Sequence, residues 1–361
     1  MKTSARQTRF LIVLFSLSCF VFGQSIFNEA DITELLADRD FSGTVLIEKN
    51  GATIYHKSFG LANRQFNIAN TNATRYHIAS ITKLFTSALI FQLYDMGKID
   101  LNKPIKTYLP EYKGEGAETI TIDQLLTHTS GIKNCEEIGS DVEVLRLPNS
   151  IDDIVKGYCS GELVFQPGTR FSYNNADYII LGKIIERLYY DKSFERVLSE
   201  KILQPLEMEN TGMIEPDGSI ITNLANAYLW DRNANEYKNN PPLILGNYFS
   251  SGAMYSTSND LLKFSNALFH GGLLSDNALE LMLQTSSVAK YWAHGLEVLS
   301  LRMKDKELKS AYRQGGCQGM NTSLNYFFDE DLTIVILANT DKIPSQEFKE
   351  LNKAIAEIIM N

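Results

Sequence analysis

The sequence predicts an α+β fold in which an antiparallel β-sheet is flanked by helices and interrupted by an inserted, mostly helical domain. Three observations lead to this prediction. β-rich runs lie near the amino terminus, further β-rich runs lie near the carboxyl terminus, and short helical patterns and polar loops lie between them. Residues 24–361 are predicted to form one domain, with its sheet part at about 24–75 and 240–361 and its helical part at about 76–239.

The amino-terminal elements are a helix and a hairpin. Residues 26–40 have the apolar spacing of a helix. The segment FSGTVLIEKNGATIYHKSFGLAN, at 41–63, has β-rich runs on either side of Lys49-Asn50-Gly51. Because Asn-Gly favours the backbone of a two-residue hairpin turn, these runs are predicted to pair as antiparallel strands.

Helical patterns follow in the middle of the chain. In YHIASITKLFTSALIFQLYDMG, at 76–97, apolar residues recur at helical spacing from Leu84 to Leu93, and Gly97 suits the helix end. Another helix is predicted to start within 121–132, and others to cover 175–190 and 257–272, the last with Ser258 or Asn259 as its N-cap.

The carboxyl-terminal part returns to β-rich patterns. Residues 306–316, 320–330 and 332–340 predict three consecutive antiparallel strands, and 345–360 predict a closing amphipathic helix.

The first 23 residues have the pattern of a secretory signal. Lys2, Arg6 and Arg9 precede the apolar run FLIVLFSLSCFVF, and small residues lie just before Gln24. The alternative is a membrane anchor, but the run is shorter than the roughly 20 residues that a spanning helix needs. We therefore expect a secreted or periplasmic protein with no stable membrane span after signal cleavage.

Charge and cysteine content exclude several classes of partner. The chain has a formal net charge of −9 and no Lys/Arg-rich run, so nucleic acid is not expected as a partner. The cysteines form no CxxC pair or Cys/His cluster, so no metal site is predicted. Pairing of Cys135 with Cys159 stays open. Nothing in the sequence indicates an oligomeric state.

Ser80 and Lys83 form a Ser-x-x-Lys motif at the start of the helix predicted within 76–97. A serine there can direct its backbone N–H toward a developing oxyanion, and a lysine one turn later lies on the same face. A neighbouring base is what makes a serine hydroxyl nucleophilic. The same spacing recurs at Ser130 and at Ser287, so spacing alone equally allows an N-cap serine beside a solvated lysine.

Two further motifs follow in order. Tyr173-Asn174-Asn175 is a Tyr-x-Asn in a loop before a predicted helix, and this tyrosine is a candidate base if a lysine cation lowers its pKa. Arg313-Gln314-Gly315-Gly316 ends one predicted strand, where small residues would let a substrate lie along the strand edge.

The order Ser-x-x-Lys, Tyr-x-Asn and basic residue-x-Gly resembles the serine β-lactamase and penicillin-binding protein superfamily, specifically its class C β-lactamase-related branch. That branch also holds D,D-carboxypeptidases, D-amino-acid peptidases and esterases. The resemblance covers about residues 30–358 and includes the flanking segments ITIDQLLTHTSGI, PGTRFSYNNADYIILGKIIE and SGAMYSTSNDLLKFSNALFHGGLLS. It implies a β-lactamase/transpeptidase-like fold with its site in a cleft between the sheet part and the helical part.

The resemblance also implies roles for individual residues. Ser80 would be the acylated nucleophile, Lys83 its proton partner, and Tyr173 the catalytic tyrosine. Asn175 would hold the lysine and the substrate amide. The backbone N–H groups of Ser80 and Gly316 would form the oxyanion hole.

The third motif departs from the family pattern, which places Lys or His, then Thr or Ser, then Gly. Arg313 keeps the positive charge and is expected to grip a substrate carboxylate, while it cannot act as an acid or base near neutral pH. Gln314 is bulkier than Thr or Ser and is expected to narrow the cleft. Together with Gly315 and Gly316, these two residues are predicted to bind substrate.

The expected function is an exported serine hydrolase that works through an acyl-enzyme without a metal or organic cofactor. Its expected substrates are small molecules or peptides, with D-amino-acid peptides ahead of simple esters and β-lactams third. The altered third motif motivates an alternative, a penicillin-binding-like sensor or binding protein with little or no turnover.

Four other residues are weaker candidates for the site. Cys317 adjoins the third motif, His128 lies in a structural stretch of the family, and Glu162 precedes the Tyr173 loop. These three and His294 are expected to be structural or solvated rather than catalytic.

Overall fold

The computed structural model describes residues 27–134, 146–303 and 306–360. The predicted signal segment and Cys135 lie outside the described residues, so the export signal and the Cys135–Cys159 pair stay predictions.

The helices are α1 Glu29–Ala37, α2 Thr82–Asp95, α3 Ile105–Tyr108, α4 Ile122–Leu126, α5 Ile151–Tyr158, α6 Asn175–Leu188, α7 Phe194–Leu198, α8 Phe249–Gly252, α9 Ser258–Phe269, α10 Asp276–Met282 and α11 Ser345–Ile359. Short 3-10 turns cover Ala79–Ile81, Leu245–Tyr248 and Phe328–Glu330, and Ser199–Leu203 forms a π-helical turn after α7.

The strands are β1 Gly43–Lys49, β2 Ala52–Phe59, β3 Leu61–Asn63, β4 Ile68–Ala69, β5 Tyr76–His77, β6 Gly212–Met213, β7 Tyr228–Asp231, β8 Glu236–Asn239, β9 Met254–Ser256, β10 Glu297–Met303, β11 Lys306–Cys317, β12 Met320–Phe327 and β13 Leu332–Ala338.

The main sheet joins the two ends of the chain. Its order across the described residues is β10-β11-β12-β13-β1-β2, and all neighbouring strands are antiparallel. β1 lies beside β13, with Gly43 opposite Ala338 and Lys49 opposite Leu332. The β1–β2 turn has φ 51° at Asn50 and 71° at Gly51, the positive angles that a type I′ turn requires.

Helices cover both faces of this sheet because its central strands are apolar on both sides. Along β13, Ile334 and Ile336 pack with α1 and α11, whereas Val335 and Leu337 pack with the cluster that contains α2 and α9. Successive strand residues point to opposite faces, so a continuous apolar run fills two cores. On the second face, α2 therefore packs against the sheet. The residues at the start of α2 lie beside β11.

The α+β class and the antiparallel sheet flanked by helices are confirmed. The predicted hairpin, the three carboxyl-terminal strands and the closing helix correspond to β1–β2, β11–β13 and α11. Some details differ from the predictions. The strands β5 to β10 were not predicted, and the N-cap of α9 is Thr257 rather than Ser258 or Asn259, because the Thr257 side chain accepts from the Asp260 N–H. The domain boundaries stay a prediction. Among the residues described, no helix combines the length and apolar character needed to cross a bilayer.

Candidate active site

Ser80 lies in the 3-10 turn Ala79–Ile81 immediately before α2. The turn is anchored by β5, whose residues pair with β9, and by a hydrogen bond from the Ile78 N–H to the Met254 carbonyl (3.0 Å). Ala79 has φ 44°, a left-handed conformation that costs a non-glycine residue on the order of 1 kcal/mol or more. Packing of the surrounding segments therefore fixes a strained backbone directly before Ser80.

Lys83 is one turn after Ser80 and is completely buried. Its Nζ donates to Asn175 Oδ1 (2.6 Å) and to the Ser251 carbonyl (2.8 Å), and lies 3.3 Å from Ser80 Oγ. The two oxygen acceptors occupy two N–H groups. The third position of the nitrogen faces the hydroxyl groups of Ser80 and Tyr173. There an ammonium donates a hydrogen bond, and a neutral amine accepts the serine proton.

Tyr173 completes a short chain of polar atoms around the serine. Its Oη lies 2.7 Å from Ser80 Oγ and accepts from Arg313 Nη2 (2.9 Å). Burial raises the pKa of Tyr173, but the Arg313 and Lys83 cations outweigh burial and bring the pKa down to about 8. A tyrosine with this pKa is partly ionised near neutral pH, as a general base must be.

Arg313 is directed at this chain of polar atoms. Its side chain is 2% exposed, and its Nε donates to the Ser80 carbonyl (2.8 Å). The guanidinium also lies 5.2 Å from the centroid of the Trp292 ring. The sequence predicted Arg313 as a substrate-binding residue. Its observed contacts are with Tyr173 and the Ser80 backbone, so contact with a substrate carboxylate stays a prediction.

The strand residues after Arg313 alternate in direction. Gln314 donates from Nε2 to the Ser345 carbonyl (2.8 Å), and its Oε1 accepts from the Tyr312 hydroxyl (3.2 Å). Gly315 lies against the Ser80 turn, where an added Cβ would lie 2.2 Å from the Ile78 carbonyl oxygen and 3.1 Å from Ser80 N. Glycine is therefore required where β11 meets the nucleophile turn.

A cavity of about 140 Å³ opens beside Ser80. Its lining residues are His77, Ala79, Ser80, Tyr173, Asn175, Leu245, Tyr248, Ser251, Gly252, Gly316, Cys317 and Met320. Of the residues that the sequence predicted for the site, this cavity brings together Ser80, Tyr173, Asn175 and Gly316. Lys83, Arg313 and Gly315 lie behind its wall, and Gln314 is turned toward Ser345.

A buried polar network supports Tyr173 from behind. Asp177 accepts from the Ser130 hydroxyl (2.5 Å), and its other oxygen lies 3.2 Å from His128 Nδ1. His128 Nδ1 also accepts from the Asn174 N–H (3.2 Å), so the proton between Asp177 and His128 belongs to the acid. Burial raises the pKa of Asp177 and lowers that of His128. Both shifts favour the neutral forms. The His128 ring lies against the Tyr173 ring, with centroids 4.5 Å apart and ring planes tilted by 48°.

The remaining sequence candidates have other surroundings. His294 contacts Asp123 (2.9 Å) away from the Ser80 cavity, Glu162 is exposed, and Cys317 is half-buried at the cavity wall. In the described ranges no three His, Cys, Asp or Glu side chains converge as metal ligands would.

Sequence reasoning missed two features of this site. The Ser251 carbonyl, supplied by α8, is an acceptor for Lys83, and no sequence motif identifies a backbone oxygen. His77 lines the cavity three residues before Ser80. The sequence signal for His77 was its position within residues 76–97, the segment that also contains Ser80 and Lys83.

Comparisons with known proteins agree with this arrangement. A family model described as Beta-lactamase matches residues 28–358. PbpX of Bacillus subtilis (strain 168), whose name assigns it provisionally to the penicillin-binding proteins, is 28% identical over 313 residues, which are 85% of this chain and 72% of PbpX.

Two solved structures share the fold. The penicillin binding protein from Bacillus halodurans is 26% identical with a TM-score of 0.77, and the match covers 90% of this chain and 98% of that protein. The D-amino acid amidase from Ochrobactrum anthropi SV3, solved with L-phenylalanine, is 21% identical with a TM-score of 0.79. That match covers 92% of this chain and 99% of the amidase.

Proposed function

Because the chain belongs to the beta-lactamase family of serine hydrolases, we propose that it is an exported enzyme that cleaves small amides or esters through an acyl-enzyme on Ser80. One observation carries the proposal. Ser80 Oγ lies within 2.7 Å of a tyrosine oxygen whose pKa is about 8 and 3.3 Å from the amine of Lys83. A serine flanked in this way has a base to take its proton.

Acylation starts with transfer of the Ser80 proton to the Tyr173 phenolate. With a pKa of about 8, about one Tyr173 in ten is ionised at pH 7. Ser80 Oγ bonds to the substrate carbonyl carbon, the proton returns from Tyr173 to the leaving nitrogen or oxygen, and the carbon–leaving-group bond breaks. A water molecule then attacks the ester carbonyl and gives its proton to the Tyr173 phenolate. The bond between the carbonyl carbon and Ser80 Oγ breaks, Tyr173 returns the proton to Ser80 Oγ, and the acid is released.

Lys83 and Arg313 have different parts in this scheme. Arg313 stays charged and stabilises the phenolate through its 2.9 Å contact. Lys83, held by Asn175 and Ser251, faces Ser80 with its third nitrogen position and assists the same proton transfer. The backbone N–H groups of Ser80 and Gly316 are proposed as the oxyanion hole. The adjacency of Gly315 to Ser80 N and the shared cavity of Ser80 and Gly316 support this assignment.

D-amino-acid peptides or amides are the proposed substrates, ahead of simple esters, with β-lactams third. The amidase that shares the fold is named for D-amino acid substrates. The cavity volume of about 140 Å³ supports the same order, because a cavity of about this size holds a group as large as benzene. A small side chain beside the scissile carbonyl fits this volume better than a fused bicyclic ring.

Intact-mass spectrometry after exposure to a fluorophosphonate, and separately to a penicillin, tests the proposal. We expect a single fluorophosphonate adduct on the wild type and none on Ser80→Ala. Ser287→Ala is the matched control, because Ser287 begins another Ser-x-x-Lys and is exposed; it should keep the adduct. Absence of any adduct on folded wild type would refute the hydrolase. A stable acyl adduct without turnover of any D-amino-acid substrate would favour the binding protein instead.

Export is proposed from the signal pattern of residues 1–23. Expression in a Gram-negative host, followed by fractionation and amino-terminal sequencing, tests this proposal. A periplasmic or secreted product that begins near Gln24 is expected, and a full-length product confined to the cytoplasm would contradict it.

A further inference from the structure

Trp292 packs directly against the pair formed by Arg313 and Tyr173. The centroid of its ring lies 5.2 Å from the guanidinium carbon of Arg313 and 5.7 Å from the centroid of the Tyr173 ring. The side chain is buried, and it also contacts the rings of His128 (5.4 Å) and Phe171 (5.3 Å). Trp292 is thus one of the residues that enclose the hydrogen bond between Arg313 and Tyr173.

The ring of Trp292, rather than its N–H group, makes the favourable contacts. Its Nε1 is buried and has no hydrogen-bond partner among the described residues. A buried donor without a partner destabilises a fold, so the N–H group does not explain a tryptophan at this position. The aromatic face attracts a guanidinium within about 6 Å of its centroid, and tryptophan gives the strongest attraction of the aromatic side chains.

Arg313 is a buried cation that needs support of this kind. Its Nε donates to the Ser80 carbonyl (2.8 Å) and its Nη2 to the Tyr173 hydroxyl (2.9 Å). Neither acceptor carries a full negative charge before Tyr173 ionises, and a buried charge without a counter-charge is costly. A carboxylate beside Arg313 would neutralise the guanidinium and weaken its effect on Tyr173. The face of Trp292 stabilises the cation without neutralising it.

Other titratable groups near this pair come from several elements. Among the described residues they include Lys83 on α2, His128 after α4, Asp177 and Tyr178 on α6, and Tyr312 on β11. Burial lowers the pKa of the histidine and raises those of the carboxyl and of these two tyrosines, which favours their neutral forms. Arg313 and Lys83 are the cations that lower the pKa of Tyr173.

We propose that Trp292 is a positioning residue, which holds the Arg313 guanidinium against Tyr173 Oη and keeps water away from that contact. This proposal rests on the proposed function, because it concerns the base of the same site. The sign of the effect follows from the opposing influences at Tyr173, where burial raises the pKa and the cations lower it further. Admitting water weakens both influences, so the pKa should move from about 8 back toward its ordinary value of about 10.

Replacement of Trp292 with leucine tests the proposal. We expect the midpoint of Ser80 labelling by a fluorophosphonate to rise by about one pH unit, so that the ionised fraction of Tyr173 at pH 7 falls about tenfold. Trp292→Phe keeps a weaker aromatic face and should shift the midpoint by less. Trp230→Leu is the matched control, because Trp230 also lies against a cation, Lys342 (3.7 Å), but does not line the Ser80 cavity. It should leave the midpoint at about 8.

A double-mutant comparison separates positioning from packing. In the Arg313→Gln background, Trp292→Leu should cause no further rise in the midpoint, because the guanidinium that Trp292 holds is gone. An unchanged midpoint in folded Trp292→Leu, or an equal rise in both backgrounds, would overturn the proposal. If Trp292→Leu does not fold, the presence or absence of a shift in Trp292→Phe decides in the same way.

The ultraviolet absorbance of tyrosinate reports the same pKa without catalysis. In each background, the pH titration with Tyr173 minus the titration with Tyr173→Phe isolates this tyrosine. If no fluorophosphonate adduct forms, the proposed function fails, whereas this titration still shows whether Trp292→Leu raises the pKa of Tyr173. A rise would support the positioning role and no rise would refute it, so the two failures are distinguishable.

Discussion

Replacing Arg313 with glutamine should shift the pH dependence of acylation. Burial raises the pKa of Tyr173, whereas the Arg313 and Lys83 cations and the hydrogen bonds to Lys83 and Ser80 lower it to about 8, with the Arg313 charge the largest single lowering contribution. One opposite charge at this distance shifts a pKa by about 1–3 units, so without the guanidinium the pKa should rise by about two units while Lys83 and Ser80 still lower it. The base acts as the phenolate, so activity rises with pH, and the midpoint should move upward by the same amount.

The magnitude at pH 7 follows from the ionised fraction. A rise of about two units lowers that fraction from about one in ten to about one in a thousand, or about 100-fold. A phenolate whose pKa is about two units higher accepts a proton about tenfold faster if the Brønsted coefficient is near 0.5, which offsets part of this loss. We therefore expect acylation of Ser80 to slow by about tenfold at pH 7, and by less as the pH rises.

The assay is the second-order rate of Ser80 labelling by a fluorophosphonate, followed by intact mass from about pH 6 to about pH 10. Arg313→Lys, which restores the usual residue of the family, keeps a cation and should hold the midpoint below 10. Unchanged circular dichroism would show that both variants fold. A midpoint that stays near 8 in folded Arg313→Gln would refute the assignment of Arg313 as the group that lowers the tyrosine pKa.

Three further predictions address the support of the site. Tyr173→Phe should slow acylation by about 10²–10⁴-fold with little change in Tm, and near-normal labelling would remove the tyrosine from the mechanism. Gly315→Ala should lower Tm and abolish labelling because its Cβ would lie 2.2 Å from the Ile78 oxygen. Gly316→Ala, whose nearest contact would be 3.2 Å, should fold as the wild type does; equal Tm values for the two variants would contradict this. Because burial raises the folded-state pKa of Asp177, its contribution to stability is present below its unfolded pKa and is lost as pH rises through the folded value. Asp177→Asn mimics the neutral acid and should remove this pH dependence in thermal melts, whereas a steeper dependence would indicate that the acid is ionised.

The sequence motifs predicted which residues form the site more completely than they predicted the contacts between those residues. Ser80 and Lys83 are near each other in sequence, and the order of three motifs identified Tyr173 and Asn175 across a gap of about ninety positions. Resemblance, rather than any local pattern, joined these motifs. The direction of Arg313 required the register of β11, because a shift by one residue would exchange the faces of Arg313 and Gln314.

Other features have no periodic signal in the sequence. The positive φ of Ala79 depends on packing around the turn, and alanine itself gives no indication of it. β10 was not predicted because an edge strand is only partly buried and its alternation is short. The neutral state of Asp177 depends on the Asn174 N–H that reaches His128, a contact set by the start of α6.

The neutral state of Asp177 bears directly on the reactivity of Ser80. Lys83 and Arg313 are buried cations, and buried charge is stable only when it is paired. An ionised Asp177 would supply part of that pairing and would reduce the positive potential that acts on Tyr173. Asp177 keeps its proton. Among the described side chains, the negative charge that these cations stabilise is therefore the Tyr173 phenolate, or the oxyanion formed during the reaction. A neutral acid behind the tyrosine thus helps to keep the pKa of Tyr173 close to working pH, and it links the folding of α6 to the activation of a serine 93 residues before the tyrosine.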